Sequence, residues 1–198
     1  MACAPFVYPE FWNYPPYFTL QPIKETQQKQ KELWRGLILA YCRHHRVFVV
    51  APDDASEFPP FTNPAINREA RSLVQCCAPA LDCSLRGRPP PRPASGPRPA
   101  GHLSRDAKLA LLDDLVQRGG GEWLDGKAQR SCLVLWRTPA EWAAALYAWA
   151  VGAGLKDAVV TMDELQRGEG VGGSEMEGMH REVLLRAIKV LEGQGKAK

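Results

Sequence analysis

The sequence has no long apolar run. Its apolar runs, residues 37–42 and 142–151 among them, fall far short of the roughly 20 residues that a bilayer-spanning helix needs. No basic stretch followed by an apolar core opens the chain, so no secretory signal is expected. Six cysteines among 198 residues, irregularly placed, are too few for a disulfide-stapled secreted module. Apolar residues at 45% and charged residues at 24% fit an ordinary globular chain rather than a fibrous or disordered one. The expectation is a cytoplasmic protein with reduced thiols.

Basic charge is missing where nucleic acid would require it. The net charge is +3, but residues 69–102 hold five basic against two acidic side chains and account for all of it. A nucleic-acid binder concentrates cations on its folded part to displace phosphate counterions. This chain does not.

Motifs for catalysis, cofactors and metals are lacking too. Gly168-Glu169-Gly170-Val171-Gly172-Gly173 matches G-x-G-x-x-G in form. It follows a helix signal rather than a strand, and Glu169, Glu175 and Glu177 would repel phosphate. A flexible acidic linker over 168–178 is the better reading. Cys42, His44 and His45 have no second ligand pair to complete a zinc site. Asp113, Asp114, Glu122 and Asp125 read as a solvated face rather than an acid/base pair. No catalytic, cofactor-binding or metal-binding residue is assigned.

What the chain does have begins with aromatics. Phe6, Tyr8, Phe11, Trp12, Tyr14, Tyr17 and Phe18 alternate with Pro5, Pro9, Pro15, Pro16 and Pro22. Proline excludes a helix here, and so many rings need a surface, on this chain or another. Residues 26–46 then read as an amphipathic helix with Leu33, Trp34, Leu37, Ile38, Tyr41 and Cys42 on its apolar face. Residues 47–50 read as a short strand, and Asn63-Pro64 as a helix start. Residues 69–102 contain seven of 17 prolines and little to bury, the composition of a disordered loop.

Order resumes at Ser104 with a helix that Gly119 stops. Glu122 to Asp125, the turn 125–127, and Ser131 to Trp136 read as a β-hairpin. Thr138-Pro139-Ala140-Glu141 is a capping box opening a helix with Trp142, Ala145, Leu146 and Trp149 on its face. The pair Val159-Val160 suggests a short strand. A second capping box, Thr161 to Glu164, opens a short helix, and a last helix carries Met179, Val183, Leu184, Ala187, Ile188 and Leu191. Three helices and a hairpin form the winged-helix plan, an elaboration of helix-turn-helix. The expected fold is α+β: a first winged-helix domain over 1–137 and a second over 138–198. The first carries the Pro/Arg-rich insertion 69–102, and the second lacks its final hairpin.

Tyr14-Pro15-Pro16-Tyr17-Phe18 is the most informative short motif. A WW-domain ligand would need P-P-x-Y, and Phe18 stands in the fourth position. A segment whose rings anchor in a partner's groove fits better; an N-terminal segment folding over its own domain is the alternative.

Three stretches together carry a family resemblance. They are Pro15-Pro16-Tyr17-Phe18-Thr19-Leu20-Gln21-Pro22 leading to Gln28, Lys29, Gln30 and Trp34; Gly121 to Asp125; and Leu135-Trp136-Arg137-Thr138-Pro139-Ala140-Glu141-Trp142 with Tyr147 and Trp149. Over about residues 5–68 and 103–192 the chain resembles the vacuolar protein sorting-associated protein 25 family, the small winged-helix subunits of the ESCRT-II complex. The resemblance implies a non-enzymatic adaptor without cofactors. Its partners would be the two larger ESCRT-II subunits, met through Pro15, Pro16, Tyr17 and Phe18, and an ESCRT-III subunit met by the second domain. It also implies recruitment to endosomal membranes through the complex, in sorting ubiquitinated cargo into multivesicular bodies, with no nucleic acid expected. The competing expectation is a winged-helix DNA-binding transcriptional regulator reading the major groove with residues 105–118. That helix carries Arg105, Lys108 and Arg118 against Asp106, Asp113 and Asp114, a net charge of zero.

Overall fold

Apolar side chains at helical spacing behind a polar start wind into α1, Lys24–His45, and its buried stripe is Gln30, Trp34, Leu37, Ile38, Tyr41 and Cys42. The computed structural model describes residues 5–53, 58–66, 101–155, 158–167 and 178–197. Arg43, His44 and His45 occupy the last turn of α1, where cations suit the carbonyl end of the helix dipole. Arg46 then ends it in the left-handed region at φ 55°. Strand β1, Val49–Val50, follows. Asn63 caps a helical turn beginning at Pro64, its Oδ1 accepting from the backbone N–H of Ala65 at 2.9 Å.

The chain re-enters the described fold at Gly101. Thr62 and His102 form an antiparallel bridge, the Asn63 N–H donates to the Gly101 carbonyl at 2.7 Å, and the Leu103 N–H to that of Phe61 at 3.1 Å. This corrects the boundary of the expected insertion: Gly101 and His102 belong to the fold, because they pair with the strand-like end of 58–63. Residues 69–100, the rest of that expectation, lie outside the described residues.

Ser104 caps α2, Arg105–Gln117, by accepting from the Ala107 N–H. Gly119, at φ 75°, takes the left-handed turn after it, as expected of a C-terminal glycine stop. Strands β2, Gly121–Trp123, and β3, Cys132–Val134, form the expected hairpin around a 3₁₀ turn at Gly126–Ala128. The sheet order is β1-β3-β2, all antiparallel, with Val50 and Trp123 both opposite Cys132.

Helix α3, Pro139–Gly152, opens on the Thr138 capping box: Glu141 N–H donates to Thr138 Oγ1, and the Thr138 N–H donates to the Glu141 carboxylate. Thr161 and Glu164 repeat the arrangement ahead of α4, Met162–Arg167. His180 caps α5, Arg181–Gly193. The short strand expected at Val159-Val160 does not form. No strand lies beside it among the described residues, and Val159 is 99% exposed; a β-branched pair without a ladder partner has nothing to pair with. The expected linker at 168–178 lies outside the described residues apart from Gly178.

Two apolar cores result, and the sheet divides them. Val50, Cys132 and Val134 pack into the first with Phe18, Trp34, Ile38, Phe61, Leu112 and Leu115. Phe48 and Leu133 pack into the second with Trp142, Leu146, Val183, Leu184 and Ala187. The second core thus reaches back across 137/138 for its floor. Arg186 of α5 also meets Glu122 of β2 at 2.7 Å. Helices segregated on a small antiparallel sheet give an α+β architecture of the tandem winged-helix kind.

Candidate functional site

The aromatic-proline segment lies on its own domain. Two 3₁₀ turns, Glu10–Asn13 and Pro15–Phe18, carry it over the end of α1 and residues 58–63. Tyr8 stacks on Trp12 with centroids 4.0 Å apart, and Phe6 meets Tyr41 edge-on at 5.1 Å. Burial in this cluster raises the Tyr8 and Tyr41 phenols above their ordinary value. The Trp12 indole donates to the Pro60 carbonyl at 2.8 Å, and Asn63 Nδ2 donates back to the Trp12 carbonyl at 2.8 Å.

The four expected partner-binding residues divide at Phe18. Its ring is 4% exposed and sits edge-on to Trp34 at 5.4 Å, inside the first core. To enter a partner's groove as expected it would have to leave that core. Pro15 and Pro16 are exposed and Tyr17 is half-buried. Tyr14, not among the expected residues, is 59% exposed and packs edge-on against Tyr17 at 6.1 Å. The result is a ridge of two proline rings flanked by two tyrosines, bound from beneath. Gln21 Nε2 donates to the Pro16 carbonyl at 2.9 Å, and Gln30 and Trp34 donate to that of Tyr17. Sequence reasoning missed Gln30; its signal was a polar residue one turn before Trp34 on the apolar stripe of a helix.

Such a ridge offers apolar, preformed contact area and no reactive group. The family model for ESCRT-II complex subunits matches residues 11–75 and 100–180. The chain belongs to that family. It is 36% identical over 193 residues to vacuolar protein sorting-associated protein 25 of Arabidopsis thaliana, covering 98% of this chain and 88% of that protein. It is 32% identical to the Danio rerio protein of that name, covering 97% and 91%. Among solved structures it resembles the crystal structure of subunit VPS25 of the endosomal trafficking complex ESCRT-II, with TM-score 0.69, 18% identity and 95% and 89% coverage. It also resembles a chain in the endosomal ESCRT-II complex VPS22/VPS25/VPS36, with TM-score 0.67, 18% identity and 96% and 91% coverage. The ESCRT-II family is one of non-catalytic complex components.

Other groups singled out in the sequence have local structural roles in this ESCRT-II family member. The basic residues of α2 and its C-cap are engaged: Arg105 pairs with Asp53 at 2.9 Å, and the cap residue Arg118 with Glu32 and Asp114 at 3.5 Å. Lys108 is 2% exposed with its ammonium over the Phe61 ring. A helix spent in this way presents few cations to a phosphate backbone. Asp113 accepts from Trp123 Nε1 at 2.9 Å and Gln129 Nε2 at 2.8 Å, tying the hairpin to α2. Cys42 is buried in the first core, where burial and Cys132 nearby push its thiol up to about 12. Burial does the same to Cys132, so both thiols stay protonated and unreactive at neutral pH. No group of three His, Cys, Asp or Glu among the described residues could hold a metal. No described helix is long and apolar enough to cross a membrane.

Proposed function

We propose that the chain is the small adaptor subunit of an endosomal ESCRT-II assembly, joined to the two larger subunits through its N-terminal ridge. Pro15, Pro16 and Tyr17 make the contact, Tyr14 extends it, and Phe18 holds the turn from within its own domain. The single observation that carries this reading is the exposed Pro15-Pro16 pair on a turn whose neighbours are fixed to the core. Exposed proline and tyrosine rings already ordered in the free protein bind a groove at little entropic cost. The solved complex VPS22/VPS25/VPS36 supplies the candidates for the larger subunits.

The chain divides into winged-helix units over 1–137 and 138–198, the second of which receives an ESCRT-III subunit. Its work is non-catalytic: it serves in sorting ubiquitinated cargo into multivesicular bodies and reaches the endosomal membrane only through the complex. No cofactor and no nucleic acid take part.

The test is calorimetric titration of the parent and of a Pro15→Ala/Pro16→Ala variant into the co-expressed pair of larger ESCRT-II subunits. Truncating central interface anchors costs about 2 kcal/mol or more, so the variant binds at least tenfold more weakly. Unchanged affinity would remove the ridge from the interface.

A further inference from the structure

Gln30 stands on the buried stripe of α1, among Trp34, Leu37, Ile38 and Tyr41, and is only 2% exposed. Burying an amide is unfavourable unless its donors and acceptor are satisfied. Gln30 satisfies all three on one stretch of backbone. Its Nε2 donates to the carbonyls of Tyr17 at 2.8 Å and Thr19 at 2.9 Å, and its Oε1 accepts from the Gln21 N–H at 3.2 Å. Residues 17, 19 and 21 alternate, so a single side chain grips the segment along one edge. One helical turn on, Trp34 Nε1 donates to the same Tyr17 carbonyl at 3.0 Å.

The turn is poorly equipped to hold itself. Pro15 and Pro16 have no N–H. Within Tyr14–Thr19, the Tyr17 N–H donates to the Tyr14 carbonyl and the Thr19 N–H to that of Pro16, at 3.1 and 3.3 Å. Nothing in those two short-range bonds fixes which way the proline rings face relative to α1. The Gln30 amide does so together with the buried Phe18 ring, because its planar fork sets the direction of the segment that leaves the turn.

We infer that Gln30, backed by Trp34, is the positioning residue of the assembly ridge: it orders residues 17–21 so that Pro15, Pro16 and Tyr17 face outward before any partner arrives. This rests on the reading that the ridge meets the larger ESCRT-II subunits. The partner surface it fits is an apolar groove that takes proline and tyrosine rings. A turn released from Gln30 would have to be ordered at the moment of binding, which weakens association without removing any contact in the interface.

The experiment uses the full chain, the co-expressed pair of larger subunits, and the variants Gln30→Leu, Gln30→Glu and Pro15→Ala/Pro16→Ala. Gln30→Leu keeps the volume and removes all three bonds. It speeds amide hydrogen exchange at Tyr17 and Thr19 at least tenfold and weakens binding at least tenfold, leaving exchange in α2 and the sheet unchanged. Gln30→Glu behaves alike at pH 7, because a carboxylate cannot donate to two carbonyls. Relative to the parent it recovers part of its affinity at pH 5, because burial against two carbonyls raises the introduced carboxyl's value and the protonated acid donates one bond. A side chain that merely fills space would not follow pH in this way. If Gln30→Leu fails to fold, Gln30→Glu carries the same readouts. Normal binding by both Gln30 variants, when the proline variant has lost it, would overturn this inference alone. Unchanged exchange in the turn would overturn it as well. Normal binding by the proline variant would overturn the assembly reading, and this inference with it.

Discussion

Cys132 and Leu133 are consecutive residues of β3, both fully buried, and they belong to different cores: Cys132 packs with Trp34 and Leu112, Leu133 with Trp142 and Val183. The strand's two-residue period sends neighbouring side chains to opposite faces, and here both faces are covered. The wing of the first unit is therefore the floor of the second. The two cores are tied through that strand.

Leu133→Ala tests that tie. Truncating a fully buried leucine costs about 2–5 kcal/mol, depending on how far the site collapses. Urea unfolding followed by tryptophan fluorescence is expected to show one transition, shifted by that amount. A shift under about 1 kcal/mol would mean that the second core does not depend on the sheet.

Thr138→Ala removes the N-cap of α3 and is expected to cost about 1 kcal/mol at neutral pH. The box also has a pH signature. Hydrogen bonds from the Thr138 backbone and hydroxyl hold the Glu141 carboxyl below its ordinary value. Its contribution is therefore complete above the ordinary carboxylate range and is lost as pH falls through the lowered folded value. The gap between parent and Thr138→Ala should narrow on acidification below about pH 4.5. A gap constant between pH 7 and pH 3 would show that the bond from the Thr138 hydroxyl to the carboxylate contributes nothing, since the backbone bond survives in the variant.

Phe18 and the prolines beside it are expected to separate stability from assembly. Phe18→Ala empties a core position and should cost about 3–5 kcal/mol. Pro15→Ala/Pro16→Ala touches exposed rings and should leave the thermal midpoint nearly unchanged while weakening assembly. The opposite pattern would place Phe18 at the interface and the prolines in the fold.

Gly101 marks the neck where the chain returns from residues 67–100. It sits at φ 96°, and a Cβ there would lie 2.9 Å from both the Asn63 carbonyl oxygen and Ile66 Cβ. Gly101→Ala is expected to destabilise by roughly 1–3 kcal/mol, the cost of a strained backbone conformation. Deleting 76–99, which lies between the two stretches that the family model matches, should by contrast leave the unfolding free energy within about 1 kcal/mol of the parent's, since closure entropy changes slowly with loop length. A large loss of stability on that deletion would make the segment structural.

Much of this was legible in the sequence because it is encoded locally. Thr138-Pro139-Ala140-Glu141 announces a helix start, Gly119 a helix end, and Trp34, Leu37, Ile38 and Tyr41 a buried stripe. The failures all concern partners distant in sequence. Val159-Val160 has strand propensity, yet propensity supplies no neighbouring strand. The run Cys132-Leu133-Val134 reads as a hairpin strand, but no local pattern says that α3 and α5 cover its second face. Phe18 reads as a groove anchor equally well whether the groove is in a partner or formed by Trp34 and Phe61 of its own domain. Gln30 was hidden for the same reason: its bonds run backwards to a segment 9–13 residues earlier.

The most direct test of the central claim is sedimentation velocity of the full chain mixed with the two larger ESCRT-II subunits at micromolar concentration. The account predicts that the 21.9 kDa chain disappears into one faster species, and that the Pro15→Ala/Pro16→Ala variant, folded as well as the parent, remains behind. A parent chain sedimenting alone beside the larger subunits would contradict it.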